Sequence, residues 1–275
     1  MNILVTLDRN YLHPLRVMLG SLYLSNPGET FDVYLVGDGL TAEDLSALEA
    51  LCAPHGALHP VEVPEALFDE APVVRYYSRA MYYRLLAAQL LPPTLDRVLY
   101  LDPDILVIGR VRPLYDTDLQ GALMAASIHR GLTDLSSRVN RLRLDTPEAE
   151  GYFNSGVLVM DLAAMRQRMD PAEIFAYAQD HADVLILPDQ DILNGLYGSE
   201  LFPVDETLWN YDARRFDSYR LMSQGEKDMD WVVSHTAILH FCGKNKPWRK
   251  SYRGRFSALY KYIQRLLGED HSEEE

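Results

Sequence analysis

The sequence predicts an α/β protein with a Rossmann-like, mostly parallel, twisted sheet flanked by helices. Two observations predict this fold and its organisation as one domain. In the first half of the chain, short apolar runs alternate with segments whose apolar residues recur at helical spacing, as in βα units. Across all 275 residues there is no internal repeat, no Gly/Ser-rich linker and no apolar run of membrane-spanning length. We therefore expect one domain over residues 1–250, followed by a C-terminal helix and acidic tail over 251–275.

The predicted strands are short apolar runs bounded by polar or turn-forming residues. They cover residues 3–7, 33–36, 60–63, 97–101, 105–108, 122–127, 156–160 and 237–241. The residues between the first strand and the first helix, Asp8 to Tyr11, are expected to form a loop.

The predicted helices follow from helical spacing and from residues that favour helix ends. Thr41 with Asp44 is typical of a capping box, and Asp170 followed by Pro171 is typical of a helix start. Pro14 suits the first turn of another helix. Further helices are predicted over residues 82–91, 189–196 and 254–267, the first of them ended by two prolines.

Composition and charge exclude several classes of function. The formal net charge of -14 argues against a nucleic-acid partner, which normally requires a basic face. The N-terminus has no basic region leading into an apolar stretch, so we expect a cytoplasmic protein. Cys52 and Cys242 have neither disulfide-framework nor zinc-site spacing and are interpreted as buried thiols.

Two carboxylates follow the very apolar predicted strand over 97–101. Asp102 and Asp104 lie two residues apart, and in extended backbone such residues point to the same side. Pro103 between them stiffens the link, and ligands of open α/β sheets bind at the carboxyl ends of strands. A divalent cation would relieve the repulsion between the two acids. A polar turn with two solvated acids is the alternative.

A second polar segment follows the predicted strand over 237–241. His240 is a candidate metal ligand, Gly243 lets backbone amides approach a phosphate, and Lys246 supplies positive charge. The alternative is a hydrogen-bonded core histidine followed by a turn. Together with the two acids, this segment completes what a metal-bound diphosphate site requires.

These motifs resemble those of a known family. The acids at 102 and 104 look like the DxD motif of nucleotide-sugar-dependent glycosyltransferases. Four further segments, residues 8–11, 152–157, 187–194 and 240–248, come in the order found in the retaining glycosyltransferase family 8. That family includes bacterial lipopolysaccharide galactosyl- and glucosyltransferases and glycogenin. The resemblance spans residues 8–248 and implies the GT-A fold.

The resemblance also implies roles for individual residues. Positions around the nucleotide and the diphosphate of a UDP-sugar are matched by Thr6, Asp8, Asn10, Tyr11, Asp102, Pro103, Asp104, Gly243 and Lys246. Asp102, Asp104 and His240 match the metal ligands. Positions around the transferred sugar are matched by Arg84, Asn154, Gln190 and Asp191.

The implied reaction is transfer of glucose or galactose from UDP-glucose or UDP-galactose, with retention of the anomeric configuration. A mixed oxygen and imidazole ligand set suits Mn²⁺ better than Mg²⁺, which is the alternative. Gln190 is either a nucleophile or a group that stabilises the cationic transition state, and an amide favours the second role. The alternatives are structural: Gln190 and Asp191 could cap a helix, and Asn154 could be a turn residue. Arg84 could be a solvated helix residue paired with an acid.

The implied acceptor is a glycan, a glycolipid or a glycoprotein. A nucleotide-sugar hydrolase, a catalytically silent UDP-sugar binding protein and self-glycosylation are the rival functions. The basic stretch from Trp248 to Arg255 permits at most a peripheral contact with the inner face of the membrane. A solvated basic loop is its ordinary interpretation.

Overall fold

The computed structural model describes residues 1–68, 80–128, 143–144 and 151–269. Its centre is a seven-stranded sheet with the order β3-β2-β1-β4-β7-β6-β8. These strands are β1 (Asn2–Asp8), β2 (Phe31–Asp38), β3 (Gly56–Pro60), β4 (Arg97–Leu101), β6 (Met124–Ile128), β7 (Phe153–Asp161) and β8 (Leu201–Val204). Three further strands form a small second sheet: β5 (Ile105–Val107), β9 (Tyr211–Asp212) and β10 (Ile238–His240).

The central sheet is mostly parallel, as predicted. Strands β3, β2, β1 and β4 run in one direction, and β6 is parallel to β8. Only β7 is antiparallel to its neighbours β4 and β6 within the described residues. The carboxyl ends of β1, β2 and β4 therefore meet at one edge of the sheet, where Asp8, Asp38 and Asp102 follow or end the strands.

Helices cover both faces of the central sheet. The sheet therefore lies between two apolar cores, one on each face. The α-helices are Leu12–Ser25, Ala42–Cys52, Ala80–Tyr83, Ala87–Leu90, Arg112–Tyr115, Leu162–Arg168, Pro171–Asp180, Pro188–Tyr197, Glu206–Trp209, Phe216–Met222, Met229–His235 and Ser257–Leu266. Short 3-10 helices cover Arg9–Tyr11, Glu65–Phe68 and Gly198–Glu200. Within the described ranges, no helix combines the length and apolar character that crossing a bilayer requires.

The predicted helix caps are confirmed. Thr41 Oγ1 accepts from the backbone amide of Asp44 at 3.2 Å, while the Asp44 carboxylate accepts from the Thr41 amide at 2.9 Å. Asp170 caps the helix that begins at Pro171. Both caps satisfy amides that a helix start leaves without partners.

Several predicted elements differ from the structure. The third strand is Gly56–Pro60 and not 60–63. The expected loop at 8–11 contains a 3-10 helix whose N-cap is Asp8. The predicted helix over 82–91 is divided into Ala80–Tyr83 and Ala87–Leu90 by a turn that contains Arg84. Cys52 is buried as expected, but Cys242 is partly exposed.

The small sheet joins the middle of the chain to its C-terminal part. Strand β10 is antiparallel to β5 and parallel to β9. A third apolar core lies on this sheet and includes Tyr211, Phe241 and Tyr260. This pairing holds β5, which follows Asp102 and Asp104, against β10, which ends at His240.

The helix Ser257–Leu266 also packs against the first helix. Leu267 fills the space beside Gly20, and Arg16 Nε donates to Glu269 Oε1 at 2.7 Å. Gln264 Nε2 donates to the Glu269 carbonyl at 2.9 Å. The described part of the region after residue 250 is thus attached to the first βα unit.

Candidate active site

Two acids and one histidine converge where β4 ends and β10 ends. Asp102, Asp104 and His240 each offer a ligand atom, and these atoms lie within 4.8 Å of one another. His240 Nε2 lies 3.2 Å from Asp104 Oδ1 and 3.7 Å from Asp102 Oδ2. Two carboxylates and an imidazole nitrogen form a donor set that fits a divalent transition-metal cation. Asp102 and Asp104 thus lie beside His240, as the metal-site interpretation requires.

The His240 ring is oriented by a residue that the sequence interpretation missed. His240 Nδ1 lies 2.8 Å from Asn210 Oδ1, and Asn210 is fully buried. Because this amide oxygen can only accept, it selects the tautomer with the proton on Nδ1. A divalent cation held by the two acids would then meet the lone pair of Nε2. An outer partner of this kind is typical of histidines that bind metals.

The three groups perturb one another electrostatically. Burial raises the pKa of Asp102, against the lowering effect of Arg84. Burial also acts to raise the pKa of Asp104, but His240 and Lys246 outweigh it and hold that pKa below its ordinary value. A cluster of strongly perturbed groups at the carboxyl edge of a sheet is typical of a functional site.

Lys246 reaches the cluster from the loop after β10. Its Nζ contacts Asp104 Oδ2 and donates to the Phe241 carbonyl at 3.1 Å. Gly243 in the same loop has a φ of 84°, which favours glycine. A Cβ at this position would lie 2.6 Å from Nη1 of Arg214. The predicted diphosphate residues Gly243 and Lys246 therefore lie on one loop beside Asp104.

Arg84 connects the cluster of Asp102, Asp104 and His240 to the start of the helix Pro188–Tyr197. One of its terminal nitrogens lies 3.1 Å from Asp102 Oδ1, and the other lies 2.9 Å from Asp189 Oδ2. Its guanidinium also lies over the Tyr100 ring, 4.7 Å from the centroid. Arg84 Nε is buried and has no hydrogen-bond partner within the described residues. Arg84 is thus a fixed cation at the centre of the site.

A chain of buried amides runs from His240 toward Gln190. Asn210 Nδ2 donates to Asn154 Oδ1 at 2.7 Å, and Asn154 Nδ2 donates to Gln190 Oε1 at 2.9 Å. The Ser155 amide also donates to Gln190 Oε1 at 3.3 Å. These bonds place Asn154 and Gln190 together, on β7 and on the adjacent helix.

Asp191 has a different environment from its neighbour Gln190. Its side chain has no exposed surface and accepts from both terminal nitrogens of Arg143, at 2.6 and 2.7 Å. It also accepts from the backbone amides of Ile186 and Leu187 and from the Tyr152 hydroxyl. Both carboxylate oxygens are therefore occupied by the protein itself.

The predicted nucleotide residues lie at and after the end of β1. Thr6 is buried, with its hydroxyl 3.2 Å from the Tyr100 hydroxyl. The Asp8 carboxylate accepts from the Asn10 amide at 2.8 Å, and the Asn10 side chain is exposed. The Tyr11 ring meets the Trp248 ring edge-on, with centroids 5.9 Å apart.

The buried Pro103 stiffens the link between the two acids. Pro103 lies in the turn between β4 and β5. Backbone hydrogen bonds fix this turn on both sides of the proline. The Asp102 amide donates to the Gly156 carbonyl at 2.9 Å, and the Phe241 amide donates to the Asp104 carbonyl at 3.0 Å. The acids are therefore held by backbone bonds to β7 and to the end of β10.

Two of the missed residues carried a detectable signal. Tyr100 lies two residues before Asp102, so strand alternation places both on one side, and Tyr100 donates to Asp102 Oδ1 at 2.5 Å. Asp189 lies in the motif segment 187–194 directly before Gln190. Asn210 had no such signal, because it is a single polar residue outside every recognised motif.

The chain is similar to known proteins over nearly its whole length. Residues 2–251 match the profile described as Glycosyl transferase family 8. Lipopolysaccharide 1,2-glucosyltransferase from Escherichia coli (strain K12) is 30% identical over 257 residues, which is 91% of this chain and 73% of that protein. General stress protein A from Bacillus subtilis (strain 168) is 26% identical over 270 residues, which is 94% of this chain and 91% of that protein.

Solved structures agree with this match. An active-site mutant of LgtC has a TM-score of 0.80 at 25% identity, covering 97% of this chain and 96% of that chain. The galactosyltransferase LgtC in complex with donor and acceptor sugar analogs has a TM-score of 0.76 at 25% identity, covering 100% and 98%. With this sheet, this site at its carboxyl edge and a profile match over residues 2–251, the chain belongs to glycosyl transferase family 8 and has the GT-A fold.

Proposed function

We propose that this protein is a metal-dependent, retaining hexosyltransferase that uses UDP-glucose or UDP-galactose as donor. The acceptor is a cell-surface glycan, a glycolipid or a glycoprotein. The observation that carries the proposal is the convergence of Asp102, Asp104 and His240 beside two cations, the buried Lys246 and the largely buried Arg84. The kinship with lipopolysaccharide 1,2-glucosyltransferase supports the assignment to hexosyl transfer.

The donor nucleotide is proposed to lie along the carboxyl edge of β1 and β4. Asp8 and Asn10 would bind the uracil, and Thr6 and Tyr11 would line the nucleotide site. The contact between the Tyr11 and Trp248 rings supports this placement, because it brings the end of β1 to the loop that carries Lys246. Gly243 and Lys246 would bind the diphosphate.

Asp102, Asp104 and His240 would hold the divalent cation, which we propose to be Mn²⁺. When bound, such a cation supplies Lewis-acid stabilisation of the departing diphosphate, a contribution of several kcal/mol. Asn210 keeps the His240 lone pair directed at the site. Lys246 neutralises charge that grows on the diphosphate as the sugar–oxygen bond breaks.

On the sugar side, Arg84, Asn154 and Gln190 would surround the transferred hexose, and Asp189 would join them. The Gln190 side-chain oxygen would stabilise the oxocarbenium-like transition state, since an amide is a poor nucleophile. The acceptor would then enter on the face that the diphosphate leaves, and the anomeric configuration would be retained. We assign Asp191 a positioning role, because Arg143 and two backbone amides already occupy its carboxylate.

A nucleotide-sugar hydrolase and a silent binding protein are the rivals. The presence of every proposed metal ligand argues against a silent binder. We also propose that the enzyme acts in the cytoplasm, where its contact with a membrane would be at most peripheral.

The decisive experiment measures UDP release from UDP-glucose and UDP-galactose with Mn²⁺, with and without a panel of acceptor glycans. A transferase releases UDP faster when its acceptor is added, whereas a hydrolase does not respond. We expect Asp104→Asn to abolish release while the protein still unfolds in one cooperative thermal transition, at a lower temperature because Lys246 loses its buried partner. Full activity of this variant would rule out the proposed metal site.

A further inference from the structure

A basic cleft lies beside the proposed donor site. It has a volume of about 720 Å³ and is formed by two segments, residues 213–217 and 245–255. Five cations line it: Arg214, Lys246, Arg249, Arg253 and Arg255. Asp217 is its one acidic lining residue. This concentration runs against the bulk of the chain, whose formal net charge is -14.

The cations of the cleft are held in different ways. Arg214 is fixed by Asp212, which is buried, through bonds of 2.9 and 2.7 Å to the two carboxylate oxygens. Arg255 pairs with Asp217 at 2.9 Å. Arg249 and Arg253 are exposed, and within the described part of the chain neither forms an ion pair with a carboxylate. Arg253 instead donates to the carbonyls of Lys250 and Tyr252.

Clustered cations without matching acids repel one another, and an anionic ligand would relieve this repulsion. Guanidinium groups are suited to such a ligand, because their planar donors match phosphate and carboxylate oxygens in pairs. Three of the five cations are tied to acids of the protein, Arg214 to Asp212, Arg255 to Asp217 and Lys246 to Asp104. Arg249 and Arg253 remain available to an external anion.

Lys246 belongs to both the cleft and the donor site. Its Nζ contacts Asp104 of the metal cluster, and the same residue lines the cleft. The cleft is therefore continuous with the place where the diphosphate is proposed to leave. A group bound there would lie beside the diphosphate end of the proposed donor site.

We propose that this cleft binds a phosphate or carboxylate group of the acceptor glycan, so that the enzyme selects an anionic acceptor. The inference rests on the proposed function, since it assumes that the metal cluster holds a nucleotide-sugar donor. The donor's own diphosphate is already matched by Lys246 and a divalent cation, and this leaves Arg249 and Arg253 unused. A flat membrane surface fits less well, because the cations line a concave cleft and Arg214 is drawn inward to a buried acid.

The test uses glucose 6-phosphate and glucose as a matched pair of probes. Each is titrated calorimetrically into the full chain saturated with UDP and Mn²⁺, so that the donor site cannot take up the phosphate. The variants are the double substitution Arg249→Gln with Arg253→Gln, and the control Arg220→Gln, an exposed arginine outside the cleft. UDP affinity and thermal unfolding are measured for each protein.

We expect the wild type and the control variant to bind glucose 6-phosphate at least roughly tenfold more tightly than glucose. The double variant should lose this preference and keep its UDP affinity. The proposal is overturned if the phosphate confers no preference, or if the preference survives in the double variant. It is also overturned if both arginines are required only for sedimentation with phosphatidylserine vesicles.

Failure of the underlying function gives a separate result. If UDP does not bind in the presence of Mn²⁺, the donor-site assignment is wrong. The titration of glucose 6-phosphate without UDP then still tests whether the cleft itself binds an anion.

Discussion

At the scale of single residues, Gly156 shows how closely the sheet approaches the proposed metal ligands Asp102 and His240. A Cβ built on Gly156 would lie 2.7 Å from Asp102 Oδ2 and closer still to Cε1 of His240. The side chains of two proposed metal ligands therefore rest directly on the backbone of β7. Only glycine permits this approach without displacing them.

We predict that Gly156→Ala lowers Mn²⁺ affinity by roughly 10–100-fold, because the added methyl group moves His240 and Asp102. Overpacking should also lower the free energy of unfolding by about 1–3 kcal/mol. Gly198→Ala is a matched control, because Gly198 has a helical φ of -56° and a Cβ there meets no atom within 4 Å. Calorimetric Mn²⁺ titration in the presence of UDP makes the comparison. Equal Mn²⁺ affinities in the two variants would contradict the proposed ligand geometry.

Asn210 gives a second prediction at this scale. Asn210→Ala removes the acceptor for the His240 Nδ1 proton and the donor to Asn154, so Mn²⁺ affinity should fall by roughly 10–100-fold. Asn210→Asp keeps the acceptor but cannot donate to Asn154. It should therefore retain more Mn²⁺ affinity than Asn210→Ala while still weakening the placement of Gln190. The same titration checks this order, and an alanine variant with wild-type affinity would show that Asn210 does not orient the ligand.

The residues of the site could be predicted only in part. Strand alternation and the position of the strand end were enough to identify Asp102 and Asp104. Asn210 could not be identified, because it reaches His240 from a separate segment that only the folded chain brings near. The ion pair between Arg143 and Asp191 could not be predicted either, because the two residues are 48 positions apart in sequence.

At the scale of elements, the interruption at Arg84 has a functional consequence. Residues 82–91 contain no glycine or proline, so their local preference favours one continuous helix. The structure instead turns at residues 84–86, and this turn directs Arg84 toward Asp102 and Asp189. Tertiary contacts outweigh local preference here, which sequence periodicity cannot reveal.

The misplaced third strand has a related cause. Residues 56–60 are only half-buried or exposed and show no strong apolar run. They become a strand because Phe31 to Leu35 of β2 supply parallel hydrogen-bonding partners. By contrast, the strands β4 and β7, which are buried except at one end, stand out in the sequence as apolar runs.

The C-terminal attachment is testable through its pH dependence. Burial acts to raise the pKa of Glu269, but hydrogen bonding and charge from His13 and Arg16 outweigh it and hold the pKa below the ordinary 4.5. A carboxylate with a lowered folded-state pKa stabilises the fold above the unfolded-state pKa, and this stabilisation is lost as pH falls through the folded value.

We therefore predict that Glu269→Gln lowers the free energy of unfolding by about 1–2 kcal/mol at pH 7. This difference from the wild type should shrink as pH falls below about 4.5, Glu269's ordinary value. Urea unfolding at a series of pH values measures it, with the exposed Glu226→Gln as control. A destabilisation that does not change with pH would show that the charge of Glu269 is not what holds the helix.

At the scale of the whole molecule, the distribution of charge separates two tasks. An overall charge of -14 would repel a free nucleotide diphosphate, so binding requires local cations. Arg84 and Lys246 contact Asp102 and Asp104, while Arg249 and Arg253 of the cleft lie outside this cluster. The fold class and the order of motifs could be predicted from sequence. The basic cleft could not, because it forms only when residues 213–217 and 245–255 come together in the folded chain.

The central claim is that the Asp102, Asp104 and His240 cluster makes nucleotide binding depend on a divalent cation. Calorimetric titration of UDP tests it most directly, with Mn²⁺ and with EDTA, in the wild type and in Asp104→Asn. We predict binding by the wild type only with Mn²⁺, and a loss of at least roughly tenfold in the variant. Equal UDP affinity with and without the metal, or no binding in either condition, would contradict the account.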